Sequence, residues 1–248
     1  MAAGQGLMDW VGQALAWFAD PANWRGSTGV PTLLFEHLAL TAAALGLACL
    51  VGIPLAVWLG HTGRGGVLAI QVTNIGRAVP TLALLVILVL AGPPFGRSTL
   101  SAVLAFTLFA LPPIITNTYV GMREVDRGAV DAANGMGMSG IQVLRRVELP
   151  LAVPLLMNGV RLAAAQLVAT VSIAAIAAFG GLGRIVTRGF ANQDIGELVA
   201  GAVIIAALAL LVEAAFAVLN ARVDPSNRVR RGQARRTAST AGGVGGAG

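Results

Sequence analysis

Five long apolar runs alternate with polar breaks along the chain, at about 33–59, 67–91, 100–120, 151–179 and 198–219. In the first, only Glu36, His37 and Thr41, all near its start, carry polar side chains. At about 1.5 Å per residue each run, as a helix, is long enough to cross a hydrocarbon core of about 30 Å. The pattern therefore predicts an all-α protein, a polytopic transmembrane helical bundle of about five spans. Within the second run the stretch Thr73–Pro80 is a weak point. Pro80 removes a backbone donor and Gly76 loosens the preceding turn, so a kink or a broken helix is expected there. The third run contains Pro112-Pro113.

Polar segments divide the rest. Residues 1–30 lack the basic start and small-residue cleavage site of a signal peptide, so this segment is expected to stay on the mature protein. In it Leu7, Trp10, Val11, Leu15 and Phe18 recur at helical spacing. That spacing fits an amphipathic, interfacial helix whose Trp rings suit the membrane boundary, and equally a frayed apolar N-terminus. Residues 121–149 hold eight charges: Arg123, Glu124, Asp126, Arg127, Asp131, Arg145, Arg146 and Glu148. They read as a water-exposed loop with helical content. The transmembrane domain, 31–222, gives way to a tail, 223–248, of Arg, Gly, Ala, Ser and Thr, a disordered composition.

Composition sharpens the class. The chain is 56% hydrophobic and 11% charged, less than half the charge of roughly 25% usual in soluble domains. All 17 basic residues are Arg. Without Lys there is neither a P-loop for nucleotides nor a Schiff-base nucleophile. Cys49 is alone and only His37 and His61 are present, which leaves no disulfide framework and makes a metal cluster improbable. Ser98 and Ser172 have no His close in sequence, so a membrane enzyme is disfavoured, and no catalytic, cofactor or metal site is predicted. The net charge of +6 owes much to six Arg in the last 27 residues, a topology signal rather than a nucleic-acid-binding face.

That signal orients the bundle. With 121–149 in the cytoplasm, the 61–66 turn and the tail join it, giving 11 Arg on that side against Arg25, Arg97, Arg184 and Arg188 on the other. The bias predicts the N-terminus outside and the C-terminus inside. Arg77, Arg161 and Glu213 fall within or at the edge of apolar runs. A charge there marks a translocation path or a subunit contact, or it snorkels to the interface.

The loop segment Asp131-Ala-Ala-Asn-Gly-Met-Gly137-Met-Ser-Gly-Ile-Gln-Val-Leu-Arg-Arg-Val147-Glu-Leu149-Pro150 is the most informative. Physics alone reads it first as an ordinary solvated loop. It also predicts a short helix up to Asn134, a sharp turn at Gly137, a second short helix over Ile141–Val147, and Pro150 opening the next span. Two such helices form a knob whose Ala face can enter another protein's groove, a mechanical coupler.

The segment resembles the E-A-A-x(3)-G-x(9)-I-x-L-P signature of permease subunits of bacterial ABC importers. Ala132, Ala133, Gly137, Leu149 and Pro150 match it, while Asp131 stands for the Glu and Val147 for the Ile. Further likeness, over roughly 33–224, lies in Asn117-Thr118-Tyr119-Val120-Gly121, Ala133-Asn-Gly-Met136-Gly137-Met138, Pro80-Thr81-Leu82-Ala83-Leu84-Leu85 and Ala178-Phe-Gly-Gly-Leu-Gly183. These look like the permeases for quaternary amines (glycine betaine, carnitine, choline) used in osmoprotection, although the Gly-Gly-Leu-Gly turn is shared with methionine permeases.

The resemblance implies a type I importer fold in the bacterial inner membrane. It also implies that Asp131, Ala132, Ala133, Gly137, Val147, Leu149 and Pro150 couple the permease to a pair of ATPase subunits. ATP and Mg would be bound by those subunits, not by this chain. A second permease copy or a related chain would complete the pore, and an extracytoplasmic binding protein would capture the solute. With only Tyr119 and four Trp, an aromatic cage inside the pore is not expected. Candidate pore or gate residues are Asn74, Pro80, Asn117, Arg161, Gly180, Gly181 and Gly183, each of which reads equally as a packing or turn residue. Glu213 alone offers a relay for an ion-coupled secondary transporter, and no inverted pair of broken segments accompanies it.

Overall fold

The protein is described by a computed structural model over residues 6–76 and 78–223; Arg77 and the predicted Arg-rich tail from 224 onward lie outside the described residues. The described residues are mostly helical, with no strand among them. Ten α-helices follow in order: α1 Leu7–Ala19, α2 Val30–Thr62, α3 Gly66–Gly76, α4 Thr81–Leu90, α5 Thr99–Arg123, α6 Arg127–Gly135, α7 Gly140–Val143, α8 Leu149–Val171, α9 Gly183–Asn192 and α10 Ile195–Val223.

Four stretches are long and apolar enough to cross a membrane: Val30–Thr62, Thr99–Arg123, Gly140–Ala177 and Ile195–Asn220. They contain the first, third, fourth and fifth apolar runs, the fourth apart from its last two residues. The second run, 67–91, is divided between α3 and α4. Helical hydrogen bonding gives way to turns at Ala78, bonded to the Ile75 carbonyl, and Val79, bonded to that of Gly76. Pro80 then sits extended (φ −61°, ψ 123°) as the N-cap of α4. The break expected from Gly76 and Pro80 is there, for the expected reason: proline cannot supply the N–H an unbroken helix requires. At ten residues, α4 is about 15 Å long and does not span by itself.

α5 is the centre of the bundle, flanked by α2 and α8 and covered by α3 and α4. Small residues bring these helices together. A Cβ at Gly159 of α8 would stand 2.8 Å from the Asn117 Cβ and from the Pro113 carbonyl oxygen of α5, so the backbones touch where a side chain would part them. The core gathers Leu40, Ala44 and Ala48 of α2, Leu85 of α4, Phe106, Ala110 and Ile114 of α5, and Ala163, Leu167 and Val171 of α8. Outward-facing Phe35, Leu50, Trp58, Leu210 and Leu211 are left exposed, as lipid-facing side chains of a membrane bundle are. α1 packs on α10, and Trp17 joins a small cluster with Val30 and Leu33 of α2 and Leu182 and Ile185 at the start of α9.

One expectation is corrected. The second short helix of the polar loop is not separate from the span that follows. The chain is helical from Gly140 through α7, one π-turn over Leu144–Glu148 and α8, and Ser172–Ala177 extends it as a 3-10 turn. Pro150 would collide with the carbonyl four residues back in a regular helix. The wider π-turn, in which the Leu149 N–H reaches the Leu144 carbonyl, makes room for it without ending the helix.

Candidate coupling and translocation site

At one end of the bundle the polar loop folds into a compact knob. α6 starts under an Asp126 cap, whose carboxylate accepts the Gly128 N–H at 3.1 Å. It stops at a Schellman turn. The Met138 N–H bonds the Ala133 carbonyl at 3.2 Å and the Gly137 N–H bonds that of Asn134 at 2.9 Å, with Gly137 at φ +80°. Glycine adopts that left-handed backbone without penalty. α7 then opens with a capping box, the Gln142 side-chain oxygen accepting the Ser139 N–H at 2.8 Å.

The adjacent alanines of the signature part company. Ala133 is buried, on the side of α6 where Val130 packs against Met122, Val125 and Ala152. Ala132 and Asp131 face outward. The expectation of one outward Ala face is corrected accordingly: a helix turns about 100° per residue, so neighbours cannot share a narrow face. The outer face instead carries Met136 and Ile141, 76% and 66% exposed. Met136 is legible in the sequence as part of a family motif and Ile141 as a helix start, but neither reading placed them on the outer face, although a large apolar side chain inside the most charged loop was a signal for it. Val147 and Leu149 are half-buried and Pro150 is exposed.

The knob is fastened to α2. Glu148, buried in the π-turn, meets His61 Nδ1 in the last turn of α2 at 2.5 Å. Gly140 lies beside the same ring, its would-be Cβ 3.8 Å from Nε2. Nothing in the sequence joined these two residues, which lie 87 positions apart.

The pore and gate candidates fall into three places. Asn74 and Pro80 are exposed on α3 and at the break, beside an apolar cavity of about 310 Å³ between α3, α4 and α5 that Val79, Leu84, Leu108 and Pro112 help to line. Gly180, Gly181 and Gly183 lie at the end of α8 remote from the knob. There the Gly181 N–H donates to Glu36 of α2 at 2.9 Å, and a Cβ on Gly183 would overlap the Ser172 carbonyl at 1.9 Å. Gly183 is thus a place of close backbone approach, while Gly180 and Gly181 lie against the Glu36 and His37 side chains. His37, fully buried beside Gly181, bonds the Val168 carbonyl through Nε2 at 2.9 Å.

Asn117 and Arg161 come together in a third group. Asn117 donates to the Pro113 carbonyl at 2.8 Å and accepts from Asn158 of α8 at 3.4 Å. One turn beyond Asn158, Arg161 donates through Nε to Glu213 Oε1 of α10 at 2.8 Å. The four residues form a polar row across α5, α8 and α10, inside the apolar spans. Among the described residues no group of three or more His, Cys, Asp or Glu is placed to hold a metal ion.

Comparison with known proteins agrees with this architecture. Residues 48–229 match the family described as the binding-protein-dependent transport system inner membrane component. The chain is 35% identical over 201 residues to a carnitine transport permease of Listeria monocytogenes, covering 79% of this chain and 87% of the relative. It is 34% identical over 201 residues to a choline transport system permease of Bacillus subtilis, covering 79% and 86%. To an osmoprotectant import permease of Salmonella typhimurium it is 34% identical over 187 residues, covering 73% and 86%. Among solved structures, an inward-facing methionine ABC transporter, MetNI, aligns over 83% of this chain and 99% of its own, with a TM-score of 0.69 and 24% identity, a shared fold. The chain belongs to the family of binding-protein-dependent transport system inner membrane components.

Proposed function

We propose that the chain is the translocating subunit of an ATP-driven importer for quaternary-amine osmoprotectants of the glycine betaine, carnitine and choline type. The named relatives support this substrate class over methionine, since the likeness to the methionine transporter is one of fold. Family membership likewise sets aside an ion-coupled secondary transporter. The lack of Lys, and so of a P-loop, supports the reading that ATP and Mg are bound by a separate ATPase. In this reading two ATPase subunits, a second permease and an external binding protein complete the machine.

The observation that carries the mechanism is the knob's construction. Its outer face presents Asp131, Ala132, Met136 and Ile141, and its back is continuous with α8 and clamped to α2 by His61 and Glu148. A partner pushing on that face moves two spans as one body, the requirement for alternating access powered from outside the chain. Asp131 and Ala132 would make the docking contact. Ala133, Val147, Leu149 and Pro150 would hold the knob's shape.

The test is Gly137→Pro in the assembled transporter. Proline cannot reach φ +80°, so the Schellman turn is lost. Uptake and the stimulation of ATPase activity by loaded binding protein are both expected to fall at least tenfold. Survival of both would remove the coupling role.

A further inference from the structure

Two charged side chains within membrane helices call for an explanation. Arg161 is the thirteenth of the 23 residues of α8, and Glu213 the nineteenth of the 29 of α10. Their side chains are 31% and 36% exposed. Asn158, one turn from Arg161 on the same helix face, is exposed as well. Hydrocarbon is a poor neighbour for such a face, and intramembrane charges belong against protein or a watery path.

The pair is also unsaturated. Arg161 directs both Nε and Nη2 at a single oxygen, Oε1 of Glu213. Among the described residues, Glu213 Oε2 and Arg161 Nη1 have no hydrogen-bond partner, and Asn158 is engaged only with Asn117 through Nδ2. A guanidinium edge able to grip a carboxylate and a carboxylate oxygen able to face a cation therefore lie side by side, with an amide beyond them.

We propose that Arg161 and Glu213, flanked by Asn158, form a transient binding site for the zwitterionic solutes of this transporter. The solute carboxylate docks on Arg161 and its quaternary ammonium lies against Glu213. The inference rests on the substrate class proposed above and adds a location and a selectivity to it. A zwitterion carries the same two charges as the pair, so it exchanges one set of ion contacts for an equivalent one. Entry is then not opposed by an uncompensated charge, and release is not slowed by a deep well. Choline, a cation without a carboxylate, has no group for Arg161, so the site favours glycine betaine and carnitine over choline in transit.

The experiment uses the complete transporter, the permease with its ATPase and binding-protein partners, in proteoliposomes. Initial uptake of glycine betaine, carnitine and choline is compared at saturating loaded binding protein. The paired change Arg161→Gln with Glu213→Gln keeps side-chain size and an amide contact between α8 and α10. It is expected to lower betaine and carnitine uptake at least tenfold and choline uptake less than threefold. Equal losses for all three, or no loss, would overturn the site. Should the double Gln variant fail to assemble, the exchanged pair Arg161→Glu with Glu213→Arg keeps both charges in place. Betaine uptake within about threefold of wild type is then expected, and assembly without uptake overturns the site. Wild-type transport of choline alone also overturns it while leaving the proposed function standing. Transport of none of the three overturns both.

Discussion

His61 shows what a single side chain contributes. Its ring closes over Glu148, a buried carboxylate with no other side-chain partner among the described residues. His61→Ala leaves that carboxylate without its partner, a loss of about 1–3 kcal/mol. A lowered unfolding midpoint of the detergent-solubilised protein is expected. His61→Ala combined with Glu148→Ala should lose less than the two single changes added together, because the second substitution removes the group the first had stranded. Additive losses would show that the contact does not couple the two positions. Each residue was visible in the sequence as a polar group at the border of an apolar run. Their pairing was not, because it depends on how two helices 87 residues apart in the chain are packed. The same holds for Arg161 and Glu213, which the sequence marked separately as charges in spans. By contrast, the turn at Gly137 was legible, since its chemistry is local.

At the scale of the element, the broken second run is the most direct product of sequence. Gly76 and Pro80 interrupt 67–91, and α3 and α4 result. Pro80→Ala restores a donor at the break and removes the ring that keeps residue 80 extended. The helix is expected to grow across the gap, with slowed hydrogen exchange at amides 78–82 and a severalfold loss of uptake as the apolar cavity beside Val79 and Leu84 closes. Unchanged exchange there would mean that packing against α5, not Pro80, maintains the break. The knob teaches the opposite lesson. Proline at 150 read as the start of a span, yet the helix runs on through it from Gly140. Here the π-turn leaves room for the Pro150 ring beside a carbonyl, and no periodicity in the sequence announces it.

At the scale of the whole molecule, the bundle has two chemically different ends. The ends of α2 and α5 and the start of α8 meet at the knob. The Gly180–Gly183 turn lies at the far end with Glu36. The distribution of Arg supports the knob end as cytoplasmic. With Cys49→Ala as background, which removes the chain's one thiol, a membrane-impermeant maleimide added to intact spheroplasts is expected to label Gln193→Cys and to spare Ser139→Cys. Labelling reversed between the two sites would invert the topology.

The all-helical membrane class, the broken second run, the turn at Gly137 and the family signature were all legible along the chain. Each of these is set by hydropathy over a stretch or by the backbone limits of glycine and proline, which act between near neighbours. Packing between distant helices set the rest: Ala132 faces out while Ala133 packs in, His61 clamps Glu148, and Asn117, Asn158, Arg161 and Glu213 form one row. Those outcomes depend on which helix faces meet across dozens of residues, and in this chain small residues such as Gly159 set that meeting by allowing backbones to touch.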